Sequence, residues 1–503
     1  MRAFRFSLEF AVFLCGALVM VYEIIGSRIV APFIGTSTYV WTSLIGVILA
    51  ALSLGYWLGG RMADRRPDVK ILAAAIFFAG GLVSVTILIK DAVLAMIGAF
   101  GGPLELQSVV AAAVLFAPAS VLLGFVTPYA VKLRTHTLDS SGSTVGRLYA
   151  LSTIGSIAGT FAAGFFLIPF VGSTRTLYLI AASLFLVSFL LVPLIFDRTN
   201  LAVLSLFALG IAGSELSAYQ FYASNGLVDI DTRYSRVRVY QTAEEPSGRE
   251  YRLIATDPYF GQSAMYLDDG SPKFEYIKFY HLIDHFVPGH RNPLMIGGAG
   301  YTFPREYLRS YPEARMDVVE IDPAITDIAR KYFKLEGDPR LRIFHEDGRT
   351  FLNRASAGTF DAVMVDAFGS LFSIPFHLTT VEAVREMHRV LRDDGVVIIN
   401  IGSSLAGPAS RFLSAELETY RSVFAEVQLF KVRPERPDED LQNVILVACK
   451  TSCRPVTEPA PRLAEMLRSR FNNDIPAAPE LTDSLAPVEY YNSLALSHFR
   501  RGN

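Results

Sequence analysis

Glu320, Asp347 and Asp366 each follow an apolar run, and a glycine-rich segment, Gly297-Gly298-Ala299-Gly300, precedes the first of them. An acid about twenty residues beyond such a turn is placed to accept both hydroxyl hydrogens of a ribose. Glycines at a strand end let the backbone approach a ligand closely. No lysine-containing phosphate loop accompanies them. A ligand with a ribose and a base but no phosphate therefore fits better than a nucleoside triphosphate. Any one of these acids read alone is an exposed loop carboxylate; three at one sheet edge beside a glycine turn make a nucleoside site.

The elements that would position them are strands ending at the glycine turn, at Met316–Asp322, Leu341–Phe344, Phe360–Asp366 and Gly395–Ile401. Helical segments near 323–334, 379–391 and 409–422 alternate with them, the pattern of a doubly wound α/β sheet. Ahead of this core, Tyr234–Tyr240 and Tyr251–Ala255 alternate with period two around a turn at Pro246–Gly248, which predicts a small antiparallel cap sheet. The tail beyond 450 is rich in proline and charge, with one helical run near 460–470 and the pair Tyr490–Tyr491; domain-closing contact is expected there. The resulting division is 1–222, 223–290, 291–450 and 451–503.

The first part is of a different kind. Apolar runs long enough to cross about 30 Å of hydrocarbon are expected at 8–30, 39–60, 70–90, 105–130, 147–170, 176–196 and 201–221. Arg2 and Arg5, then Arg61, Arg65, Arg66 and Lys70, then Lys132, Arg134 and Arg147 mark cytoplasmic loops by the positive-inside rule. Seven full crossings would put the C-terminal domain outside. Leu201–Ala212, the solidly apolar part of the last run before Gly213, Ser214 and Glu215, is too short to span, so an incomplete last crossing and a cytoplasmic catalytic domain are expected. Glu23, Arg28 and Glu215 are charges within apolar runs, read as ion pairs or snorkelling ends. The formal net charge of −2 and the lack of a basic cluster exclude a strong preference for nucleic acid. Cys15, Cys449 and Cys453 form no disulfide framework or zinc spacing, and no metal-ligand spacing stands out.

These residues resemble the membrane-fused branch of the spermidine synthase family. The carriers are Gly297–Gly300, Val319-Glu320-Ile321-Asp322, Asp347-Gly348, Val365-Asp366, Tyr280-His281 after Leu267–Gly270, and Tyr22-Glu23. The resemblance implies a transmembrane domain of about seven helices fused to an α/β Rossmann-like S-adenosylmethionine-type domain with a small N-terminal β-sheet cap. It implies that Gly297, Gly298, Glu320, Asp347 and Gly348 bind decarboxylated S-adenosylmethionine or S-adenosylmethionine, without a metal. Within that site Glu320 would take the ribose and Asp347 the adenine amino group. It further implies that Asp366 is catalytic and that Asp269, Tyr280 and His281 contact a polyamine-type amine, with the chain in the bilayer of a bacterial cytoplasmic (inner) membrane. Where the family carries carboxylates this chain has Gly300 and Gly369, and its acidic pair before Tyr–His is Tyr276-Ile277. His285 and His377 are further titratable groups near the expected site. Aminopropyl transfer to an amine is the leading expectation. Methyl transfer from S-adenosylmethionine and an adenosyl-regulated transporter or sensor are the alternatives, and oligomeric state, homo-oligomer included, is left open.

Overall fold

A computed structural model describes residues 2–502 apart from 36, 101, 136–140, 194–196, 257–259, 368–373 and 454–459. Contacts divide the chain into Met1–Arg236 and Val237–Asn503.

Among the described residues of the first unit, six helical segments are long and apolar enough to cross a membrane. They become seven if Leu104–Leu115 and Ala117–Arg134, bent by 53° at their junction, count as one span. The bend falls where Pro118 removes a backbone donor. Two side chains fill in for lost helical bonding: the Tyr22 hydroxyl and the Thr86 hydroxyl both donate to the Leu115 carbonyl, at 2.8 and 2.7 Å, as buried helix breaks require. Glycine decides how closely the helices pack. A Cβ at Gly155 would lie 2.0 Å from the Phe13 carbonyl, and one at Gly159 2.2 Å from that of Ala17, so Arg2–Ile34 and Ser141–Ala162 meet backbone to backbone.

The two ends of this unit differ in charge. At one end Glu9 pairs with Arg134 (3.3 Å) and Arg147 (2.9 Å), and Lys132 with Asp64 (2.8 Å). At the other, the Ser173 amide donates to Asp231 (2.8 Å) and Arg28 to the Arg233 carbonyl (2.6 Å), beside strand β1 (Gly226–Asp231). Arg28 thus binds a carbonyl, and Glu215 lies 3.4 Å from the Tyr178 hydroxyl. The expectation that 201–221 stops short is not met in length: Arg198–Ala223 is one unbroken helix of 26 residues. Gly213 and Ser214 lower the hydropathy there without interrupting backbone hydrogen bonding, and Ser217 Oγ donates to the Gly213 carbonyl at 3.1 Å.

In the second unit, β2 (Arg236–Glu244), β3 (Arg249–Ala255) and β4 (Ser263–Tyr266) make an antiparallel cap sheet. The core sheet contains β5 (Leu294–Ile296), β6 (Met316–Val319), β7 (Leu341–Phe344), β8 (Phe360–Val365), β9 (Leu391–Ser403), β10 (Glu426–Lys431), β11 (Gln442–Cys449) and β12 (Arg470–Phe471). Their order is β12-β10-β11-β9-β8-β5-β6-β7. Strands β7, β6, β5, β8 and β9 are parallel, and β11, β10 and β12 add antiparallel. Helices on both faces leave central strands such as β8 buried at every residue, which is why they read as unbroken apolar runs. The order in which strands are added reverses between β5 and β8, the crevice where ligands of open α/β sheets bind. Cys449 and Cys453, expected to take no part in a disulfide framework, are disulfide-bonded to each other, and Cys15 is free and buried. The tail straps back onto the core: Leu481 and Tyr491 join the main apolar cluster, and the Thr380 hydroxyl donates to Asp483 at 2.6 Å.

One core residue departs from this pattern. Glu416, on the helix Arg411–Arg421, is fully buried, and neither carboxyl oxygen has a hydrogen-bond partner among the described residues. Burial pushes its carboxyl well above the usual range. At pH values below the unfolded carboxyl's pKa of about 4, both states hold the proton and nothing is lost. As pH rises past that value the unfolded chain releases a proton that the fold retains, so stability falls. Glu416→Met is expected to raise the unfolding free energy at pH 8 by about 1–3 kcal/mol, with the gain shrinking toward pH 4. Denaturant melts at the two pH values check this, and a gain independent of pH would locate its origin elsewhere.

Candidate functional site

At the β5–β8 crevice, Gly297 has φ +97°, and a Cβ there would sit 2.4 Å from the Asp366 carbonyl. The turn after β5 and the tip of β8 are therefore in backbone contact, tied also by the Asp366 amide donating to the Ile296 carbonyl at 2.9 Å. Glu320, just past β6, is buried and collects three amides: Gly298 (2.9 Å) and Ala299 (3.3 Å) on Oε2, and Asp322 (2.9 Å) on Oε1. Burial pushes its carboxyl up despite those donors. The carboxylate thus holds the glycine turn in shape at the same edge.

Asp347 caps the helix Gly348–Arg354 by accepting from the Thr350 amide at 2.9 Å. Its other oxygen lies 2.8 Å from His377 Nε2. Burial pushes this carboxyl up, but the Thr350 amide and the His377 imidazole outweigh it and hold it below the ordinary range. Gly348 packs tightly: a Cβ would meet Ile296 Cγ2 at 2.7 Å. At Gly300 the room for a side chain is taken by Ser263 Oγ (2.8 Å) and Phe333 (3.1 Å). Gly369 lies outside the described residues.

Asp366 is partly exposed at its strand tip. The Tyr276 hydroxyl donates to its Oδ2 at 3.0 Å, and Asn400 Nδ2 to its Oδ1 at 3.4 Å. Asn443 on β11 donates in turn to Asn400 Oδ1 at 2.9 Å. The crowded surroundings push the carboxyl up to about 6, only partly offset by the Tyr276, Asn400 and Tyr280 donors. Asp366 is thus a carboxylate poised near neutral pH, suited to taking a proton.

The structure brings Gly297, Gly298, Glu320, Asp366 and Tyr280 to one edge; the buried Tyr280 hydroxyl is 3.4 Å from the Val365 carbonyl. His281, the next residue, points elsewhere. Its Nδ1 is 3.0 Å from the Tyr311 hydroxyl, which donates to Asp284 at 2.6 Å, and Asp284 lies 2.9 Å from His290. Asp269 sits on an exposed turn, paired with Arg249 at 2.8 Å. His285 is buried, with its Nδ1 unpartnered among the described residues. Sequence reasoning missed Tyr276 and Asn400 as partners of Asp366. The available signal for Asn400 was a lone amide in the apolar run Val396–Ile401.

Comparison with known proteins bears on this edge. Residues 275–432 match the spermine/spermidine synthase domain family. The polyamine aminopropyltransferase of Vibrio vulnificus is 36% identical over 163 residues, 32% of this chain and 51% of that protein. The chain thus spans about half the length of that relative. Polyamine aminopropyltransferase 1 of Streptomyces coelicolor is 26% identical over 461 residues, 85% of this chain and 82% of that protein. Among solved structures, a probable spermidine synthase from Corynebacterium glutamicum aligns with a TM-score of 0.41 and 21% identity, over 54% of this chain and 94% of that one.

Proposed function

Because the chain belongs to the spermidine synthase-like family through its residues 275–432, we propose that it is a transferase moving an aminopropyl group from decarboxylated S-adenosylmethionine to an amine. The observation that carries this reading is the crevice itself. A glycine turn in backbone contact with Asp366, whose carboxyl its surroundings push up to about 6, stands beside the buried acid Glu320.

In the reaction, the amine nitrogen's lone pair attacks the propyl carbon beside the sulfonium. The carbon–sulfur bond breaks with its electron pair going to sulfur, and neutral methylthioadenosine leaves. An aliphatic amine has a pKa near 10, so it must shed a proton before or as it attacks; Asp366 accepts it. Glu320 and the turn at Gly297–Gly298 are assigned the ribose and the methionine-derived portion, and Asp347-Gly348 the adenine. Tyr280 is assigned to the acceptor side; Asp269 and His281 belong to the reading only if the acceptor extends toward the cap turn and the Tyr311 cluster. Incubating the purified protein with this donor and a panel of amines should release methylthioadenosine, read by mass spectrometry. Absence of release with every amine would sink the proposal. The filled space at Gly300 favours a second reading, methyl transfer from S-adenosylmethionine, and the same assay detects it as S-adenosylhomocysteine.

The helical unit is proposed to sit in the cytoplasmic membrane of a bacterium, with Val237–Asn503 facing the cytosol where adenosyl donors are made. With every candidate span crossing fully, that placement sets β1's end of the unit inward and the end carrying Arg134 and Arg147 outward, so it gives up the expectation that those residues mark cytoplasmic loops. A carboxy-terminal fusion to a fluorescent protein should therefore fluoresce. Activity from an alkaline phosphatase fusion instead would overturn the placement and require the donor to cross the bilayer.

A further inference from the structure

Asp483 lies in the tail, yet its side chain reaches the start of the helix Gly348–Arg354 that Asp347 caps. Two residues at that helix start grip the segment after Pro375. Asp347 Oδ2 lies 2.8 Å from His377 Nε2. Arg349 takes the backbone of the same histidine, its Nη1 donating to the His377 carbonyl at 3.3 Å and to Thr380 Oγ1 at 3.4 Å. His377 is thus held by both its ring and its carbonyl.

Asp483 closes the arrangement. Its Oδ2 lies 3.3 Å from Arg349 Nη2, its Oδ1 accepts from the Thr380 hydroxyl at 2.6 Å, and its amide donates to Glu382 at 3.0 Å. The strap that carries it is fixed in turn: the Leu481 amide donates to Thr419 Oγ1 at 2.9 Å, and the Leu481 carbonyl accepts from the Val381 amide at 2.8 Å. Leu481, Thr380 and Thr419 are all buried. A guanidinium presents its donors in a rigid planar fork. With Asp483 on one branch and Asn353 Oδ1 at 3.1 Å from Nε, the other branch is aimed at His377 and Thr380. Because Asp483 is 49% exposed, the ion pair adds little energy of its own. Its effect lies in orientation.

We propose that Asp483 is a positioning residue: through Arg349 it keeps His377 seated on Asp347 and, resting on the assignment of Asp347 to the adenine above, restrains entry of the adenosyl ligand. Without Asp483, Arg349 holds the His377 carbonyl less firmly, and the imidazole leaves Asp347 more often.

The full-length protein is compared with Asp483→Asn, which keeps an oxygen for Thr380 but loses the ion pair. Both are treated with diethyl pyrocarbonate at neutral pH, and acylation of each histidine is followed by mass spectrometry. Acylation of His377 is expected to rise by about two- to fivefold, the range that a half-exposed ion pair commands, with His345 unmoved as an internal control. Arg349→Lys, a point donor that does not reproduce the fork, is expected to give the same rise. Calorimetric titration with methylthioadenosine is expected to show Asp483→Asn binding tighter by the same factor, and the same change in a His377→Ala background adding nothing. A His377 rate unmoved in both folded variants overturns the inference, as does a rise that His345 shares. Weaker ligand binding by Asp483→Asn, with or without His377, also overturns it. A raised His377 rate together with an affinity that His377→Ala leaves unchanged supports the positioning by Asp483 and sinks the assignment of Asp347 to the adenine.

Discussion

Asp366→Asn is expected to lower methylthioadenosine release by about 100- to 10,000-fold, the usual loss with a general base, and to raise the melting midpoint at neutral pH. The two effects share one cause. The carboxyl is pushed from 3.8 to about 6, so the fold disfavours its charged form. Below the unfolded pKa both states are protonated and the residue costs nothing. The penalty grows as pH rises through the interval from about 4 to 6 and is complete above it. A rise of that size corresponds to about 3 kcal/mol, reduced to about 1–2 kcal/mol for a partly exposed group. Asparagine keeps an oxygen for Tyr276 and loses the charge, so its advantage should appear above pH 6 and vanish near pH 4. The wild-type rate should climb through about pH 6 as the base is freed. Melting curves at three pH values and a pH–rate profile check both halves. A variant that is slower and also less stable at neutral pH would show that the carboxylate is structural.

Gly297→Ala is expected to remove adenosyl binding altogether and to lower the unfolding free energy by about 2–4 kcal/mol. Two terms contribute. The φ of +97° is strained for any residue with a Cβ, and that Cβ would stand 2.4 Å from the Asp366 carbonyl, a backbone atom fixed by β8. Gly289 separates them: its φ is +78° with nothing within 4 Å of a Cβ, so Gly289→Ala should cost only about 1 kcal/mol and leave binding intact. Calorimetric titration with methylthioadenosine and denaturant melts of both variants measure the difference. Equal losses would mean that close approach at Gly297 is unimportant.

The glycine turn and the acids at 320, 347 and 366 were legible because each follows an apolar strand, and a parallel sheet sends all such tips to one edge. The cap strands and their turn were legible from period-two alternation. Tyr276 was not, because the short 3-10 helix Glu275–Leu282 has neither period, so nothing in the sequence tells which side each ring faces. For the same reason Tyr280 and His281 looked like a pair, while the fold sends one to Val365 and the other to Tyr311. The cluster of His281, Asp284, His290 and Tyr311 joins segments whose spacing follows from how Thr302–Ser310 packs, which no local pattern encodes. The helix at 201–221 was legible, but its length in Arg198–Ala223 was not, because hydropathy dips at Gly213–Glu215 whereas helical hydrogen bonding depends on the backbone. The final helix, Val488–Gly502, was hidden in a tail whose composition resembles a linker.

The contact between Asp347 and His377 bears on how binding would be measured. A base that pairs with Asp347 competes with an imidazole already there. Apparent affinity is then the intrinsic affinity multiplied by the fraction of molecules in which the carboxylate is released. If that fraction is about one in ten, a ligand looks about tenfold weaker than its contacts warrant. If Asp347 takes the base as proposed, replacing His377 with alanine is expected to tighten binding while adding no contact to the ligand, the protein's own side chain then being a resident competitor for the site.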